Sequence, residues 1–177
     1  LSAGVTYVDI SAESIDGAAH EIECSFYASS QLCYDGATTP AMAADVFDMD
    51  GLSVACVGQR RQKPLCHSGD HITIDWGNLY VVARTELKAD EHGILAKSNG
   101  ALSLMLAYDD IASINYFGRL TPAWYARNGK TVIRMLAEMD ARREELTARC
   151  EAFDAQIAAD AGEFVTVVGP SGSGKST

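Results

Sequence analysis

The chain has 177 residues, 47% of them hydrophobic and 21% charged, with a formal net charge of −10. That length holds one domain with a proper core, or one small domain and part of a second. Residues 1–129 carry 8 basic and 16 acidic side chains, and residues 130–161 carry 5 and 7. Such an acidic body without a basic stripe argues against nucleic acid or an anionic membrane as partner, and no apolar run approaches the roughly 18–20 residues of a membrane span. The five cysteines, Cys24, Cys33, Cys56, Cys66 and Cys150, are odd in number and widely spaced, with no C-x-x-C. A zinc ribbon or redox pair is therefore not expected, and Cys24 and Cys56 read as small hydrophobes within strands. The compartment stays open.

In chain order, the first hundred residues read as β. Val5–Ala12 is a first strand. His20–Ala28 is a second, because Ile22, Cys24, Phe26 and Ala28 alternate with polar neighbours and give one face to a core. Asp16-Gly17 supplies the turn between them. Leu52–Val57, Ile72–Trp76 and Leu79–Ala83 come next as strands. Residues 33–50 give no clear pattern, and residues 86–100 read as a polar loop before a weak strand, Ala101–Ala107. Regular short strands with Gly, Asp and Asn punctuation predict an antiparallel β-sandwich.

Around Tyr108 the period changes. Val132, Leu136, Met139, Leu146, Cys150, Phe153 and Ile157 recur in steps of four and three, broken once at Arg143. The pattern predicts one amphipathic helix over Thr131–Ala161, about 45 Å long if unbroken, with Asn128-Gly129 as the turn before it and Thr131 as N-cap. Its wide apolar face is expected to find little to pack on and to promote self-association.

Three constellations invite chemistry. Cys66-His67-Ser68-Gly69-Asp70-His71 gathers metal-ligand types, but Gly69 and the strand expected from Ile72 deny the two histidines helical spacing, so a turn is the expectation and no metal site is assigned. Asp109-Asp110 sits at the sheet-to-helix transition and reads as a turn or cap. Asp75-Trp76-Gly77 could expose an aromatic, although such a Trp more often packs in a core. No G-x-S-x-G occurs.

Three blocks carry a family likeness. They are Val5–Gly17 with His20-Glu21-Ile22, then Ile72–Tyr80, then Tyr108–Gly118 leading into Trp124, Asn128-Gly129-Lys130-Thr131 and Arg149–Asp154. In this order they resemble the glutaminase A-like proteins of fungi and bacteria over about residues 3–161, departing from that pattern at Cys33-Tyr34-Asp35-Gly36. The resemblance implies a β-sandwich over 1–107, and the opening segment and first helix of an α/α-toroid domain over 108–161. The absent remainder of the toroid would be its partner. It also implies hydrolysis of L-glutamine to glutamate and ammonia in an intact protein, with the active site in the toroid and no catalytic residue in this chain.

The tail, 162–177, has another character. Phe164–Val168 is an apolar strand pattern, and Gly169–Ser176 fits G-x-x-x-x-G-K-[ST]. In such a loop Gly169, Ser171, Gly172 and Gly174 would turn backbone N–H groups toward phosphates. Lys175 would reach the β/γ-phosphates, and Ser176, beside Thr177, would meet Mg²⁺. The tail resembles the P-loop of ABC-transporter ATPases, while nothing before it does. The expectation is a junction near Ala161/Gly162 and no cofactor. Mg-ATP would be bound only if an ATPase domain were complete.

Overall fold

The computed structural model describes residues 4–36, 38–66 and 74–160. Ten strands stand among them: β1 Thr6–Ile10, β2 Glu23–Ser29, β3 Met42–Met49, β4 Leu52–Gln59, β5 Asn78–Ala83, β6 Leu87–Asp90, β7 Gly93–Asn99, β8 Leu102–Asp109, β9 Ile114–Tyr116 and β10 Arg119–Thr121. Two helices complete the order, α1 Val132–Ala141 and α2 Arg143–Asp160. The chain forms two compact units, Leu1–Asp140 and Ala141–Thr177.

In the first unit, one sheet has the order β1-β8-β5-β4-β3 and a second the order β2-β7-β6; β9 and β10 form a separate hairpin. Every pairing is antiparallel. Ala55 and Val57 of β4, Leu79, Val81 and Ala83 of β5, and Leu104 of β8 share a core with Cys24 and Ala28 of β2, Leu87 of β6, and Ile94 and Ala96 of β7. That is the sandwich-like arrangement the alternation in β2 foretold.

The five-stranded sheet is covered on its other face as well. Tyr7, Met105, Val82 and Val54 form one row across β1, β8, β5 and β4, and Met105, Val82 and Val54 are buried there. Met135, Leu136 and Met139 of α1 are buried too. The Tyr7 hydroxyl donates to the Met139 carbonyl at 2.6 Å, and Arg84 pairs with Asp140 at 2.9 Å. Coverage on both faces explains why β5 reads as the unbroken apolar run Leu79–Ala83 instead of alternating.

Several expectations need correction. Asp16-Gly17 does turn, with Gly17 at φ +74° and the Ala18 N–H donating to Asp16 Oδ1, but it joins strands of different sheets: β1 pairs with β8 and β2 with β7. Residues 86–100 are no polar loop. They hold β6 and β7, and β7 is the centre of its sheet. The unclear stretch 33–50 holds β3. Of the strand expected over Ile72–Trp76, residues 74–76 are not extended in any ladder, and Ile72 and Thr73 lie outside the described residues.

The single helix over Thr131–Ala161 is two helices, parted at Arg142. The break falls beside Arg143, the residue that interrupts the apolar period. Thr131 does cap α1: its hydroxyl accepts from the Arg134 N–H at 3.3 Å. The apolar face divides accordingly, with its α1 half buried and Cys150, Phe153 and Ile157 of α2 exposed. Strand and P-loop readings over Phe164–Thr177, and the junction at Ala161/Gly162, lie outside the described residues.

Candidate docking face

At one end of the five-stranded sheet, Gly58, Asn78 and Asp109 stand in one row, and the loops that leave it are knitted by polar side chains. Gln59 Nε2 donates to Asp75 Oδ1 at 2.5 Å, to the Asp75 carbonyl at 3.0 Å and to the Cys33 carbonyl at 3.2 Å. Gln62 clasps Gly77, accepting from its N–H at 2.6 Å and donating to its carbonyl at 3.1 Å. A Cβ at Gly77 would fall 2.5 Å from the Asp109 carbonyl and 2.6 Å from the Tyr108 ring, so only glycine lets the two loops approach this closely.

Tyr108 donates its phenol to the Trp76 carbonyl at 2.5 Å. Burial, and after it the neighbouring Cys33 thiol, pushes its ionisation well above the ordinary tyrosine range. Burial also moves Tyr80 up to about 12. Two buried atoms of this region, Trp76 Nε1 and Asp110 Oδ1, have no hydrogen-bond partner among the described residues.

The network also anchors the segment beyond β8. Asp109 Oδ1 accepts from the Ile111 N–H at 3.1 Å and from the Tyr125 phenol at 2.6 Å. Burial and the hydrogen bond to Asp109 raise the Tyr125 ionisation. Between those two clamps the chain runs out and back as the β9–β10 hairpin. Its register pairs Tyr116 with Arg119, Asn115 with Leu120 and Ile114 with Thr121. The base is closed by the Ser113 N–H on the Thr121 carbonyl and the Thr121 hydroxyl on the Ile114 carbonyl.

The two-residue turn is Phe117-Gly118, at φ +47° and +85°. Positive φ at both positions is the pattern of a type I′ turn, which ordinarily takes Asn, Asp or Gly first. Here a Phe takes that place, steered by Asn115 Oδ1, which accepts from the Gly118 N–H at 2.9 Å. Phe117 is 93% exposed.

Exposure continues around it. Ile114, Tyr116 and Leu120 are exposed, and Trp124 is 74% exposed. Tyr116 meets Phe117 edge to face, with ring centroids 4.8 Å apart. Arg127 lays its guanidinium 3.8 Å from the centre of the Trp124 ring, a cation–π contact that holds the indole in place. Residues 111–131 contain Arg119, Arg127 and Lys130 and no acidic residue. Lys130 is engaged by Glu138. The result is an apolar finger, open on both faces, with two arginines and a firmly tied base.

Of the residues singled out by sequence, Asp109 belongs to this anchor and serves the turn role expected of it, and Asp110 is half-buried next to it in the chain. Asp75 is taken up by Gln59, and Trp76 is half-buried beside it. Cys66 is exposed, while His67, Asp70 and His71 lie outside the described residues, as do Gly169, Ser171, Gly172, Gly174, Lys175, Ser176 and Thr177. No group of three metal-ligating side chains occurs among the described residues. The finger itself escaped the reading of the sequence. Its signal was Phe117-Gly118 between two short runs of strand-formers, without the Asn or Asp that usually announces such a turn.

Residues 1–101 match one family model, described as "Domain of unknown function (DUF5127)". No curated protein and no solved structure matches the chain. The matched family corrects the likeness to glutaminase A-like proteins and to ABC ATPases: the match over 1–101 is to DUF5127, and no glutaminase or P-loop ATPase family accompanies it. A nine-residue glycine loop is too short to define a family. The finger lies beyond the matched residues.

Proposed function

This chain belongs to the DUF5127 family, a domain of unknown function, and we propose that it is a protein-docking module whose working face is the finger at 111–124, outside the matched residues. One observation supports the reading above others. Phe117 occupies a left-handed backbone position at the tip of a hairpin, with its ring in water. A bulky residue at positive φ costs about 1–3 kcal/mol, and such strain concentrates at ligand clamps and functional turns. At 93% exposure, the packing of Phe117, its edge-to-face contact with Tyr116 included, offsets little of that cost. A lone two-stranded hairpin is also marginal in water, so a partner that covers this one supplies what the sandwich does not. The polar anchor at Asp109 and Tyr125 fixes the finger before binding, which lowers the ordering cost of association.

The test uses a phage-displayed library of random peptides selected on the chain. Selected peptides are expected to slow amide hydrogen exchange at 111–127. Protection confined to another surface would contradict the assignment. Calorimetry with millimolar Mg-ATP is expected to show no heat that Lys175→Ala removes, and such a heat would give the chain a nucleotide after all.

A further inference from the structure

We infer that the finger's partner is a protein surface with an apolar pocket bordered by carboxylates, with Phe117 filling the pocket and Arg119 and Arg127 meeting the acids. This rests on the docking reading and adds the chemistry of what docks. Charge carries the argument. The whole chain is at −10, yet its most apolar exposed segment, 111–131, holds only basic charges. Lys130 is paired with Glu138, so Arg119 and Arg127 are the charges that this segment offers a partner.

Their placement suits a carboxylate. Arg119 stands opposite Tyr116 in the hairpin. Arg127 already sits over the Trp124 ring, its Cζ 3.8 Å from the ring centre, and a guanidinium fork binds a carboxylate with two parallel hydrogen bonds. The acids nearest in sequence do not compete freely. Asp109 accepts from Tyr125 and the Ile111 N–H, and one oxygen of Asp110 is buried. Aromatic and arginine side chains set on a rigid base are the residues that dominate binding energy at protein interfaces.

Two other occupants fit less well. A second copy docked finger to finger about a twofold axis would set arginines against arginines. An anionic bilayer would be met by an aromatic tip and two arginines, but also by a body of strongly negative charge, which a flat charged surface repels as a whole.

The experiment is the same displayed library, sequenced after selection against the chain and against a charge-reversed variant, Arg119→Glu with Arg127→Glu. Peptides that protect 111–127 are expected to be enriched in Asp and Glu beside bulky apolar residues, and to lose at least tenfold in affinity against the charge-reversed variant. Peptides that protect 111–127 without acidic enrichment would overturn the charge assignment and leave the docking reading standing. Peptides that protect only other surfaces would overturn both. Vesicles of phosphatidylcholine with phosphatidylserine, and sedimentation of the chain alone, complete the test. Vesicle binding or self-association abolished by Phe117→Asp would replace the proposed partner. Thermal melts of each variant establish that it is folded.

Discussion

Two hairpins of this molecule make their turns in the same way with opposite materials. β3 and β4 are joined by Asp50-Gly51, at φ +53° and +81°, and β9 and β10 by Phe117-Gly118, at +47° and +85°. Asp50 is a residue that tolerates the left-handed region and helps to build the turn; Phe117 is not. The pairs that flank them differ likewise. Met49 and Leu52 close the first hairpin and are buried, while Tyr116, beside the second turn, is 65% exposed. The first hairpin is made of residues that fold it. The second keeps a conformation its residues resist and exposes what a core would hide. That contrast separates a structural hairpin from the one proposed to bind.

Substitutions separate the two hairpins. Leu52→Ala, in the first hairpin, should cost about 2–4 kcal/mol in urea unfolding, because it opens a cavity in a covered sheet. Asp50→Phe should cost about 1–2 kcal/mol, since it places in the first turn the strain that the second already carries. Tyr125→Phe removes the hydroxyl that ties the finger to Asp109. It should lose about 1–2 kcal/mol and speed hydrogen exchange at 111–121.

The tyrosines around that tie also predict a pH dependence. The folded Tyr80 ionises at about 12, against 10.0 ordinarily, and Tyr108 and Tyr125 are shifted the same way. Above 10 the unfolded chain loses phenolic protons that the folded chain keeps, so stability is whole below 10 and declines as pH rises toward 12. Melting curves recorded alongside phenolate absorbance would show it, and a melting temperature that holds steady across this window would contradict it. The smallest effect belongs to Leu120→Ala on the finger, expected to change stability by no more than about 0.5 kcal/mol. A large loss there would mean that the finger belongs to the core.

The same contrast explains what could be read in the sequence. β4 and β5 were legible because their apolar side chains have somewhere to go on both faces of the sheet. β3 was not, because it is an edge strand interrupted by Asp45 and Asp48. Asp45 Oδ1 accepts from the Val46 N–H at 2.9 Å, a local bond that blunts the open edge and hides the period. β7 was concealed by its polar end, Lys97-Ser98-Asn99, although Ile94 and Ala96 are fully buried. In the helices the period was legible and its use was not. Steps of three and four give a helical face, but only contacts decide that Leu136 is buried while Phe153 is 61% exposed. The finger was invisible for a related reason: its turn violates the preference by which such turns are recognised.

The most direct test of the finger's role is the calorimetric affinity of Phe117→Asn for a selected peptide that protects 111–127, with a thermal melt of the same sample. Asn relieves the left-handed strain, so the variant is predicted to melt no lower than the parent and to be more stable by up to about 1 kcal/mol. It should bind at least tenfold more weakly, because the anchor ring is gone. A variant that binds as tightly as the parent would show that Phe117 is not held out for a partner, and the finger would lose its assigned role.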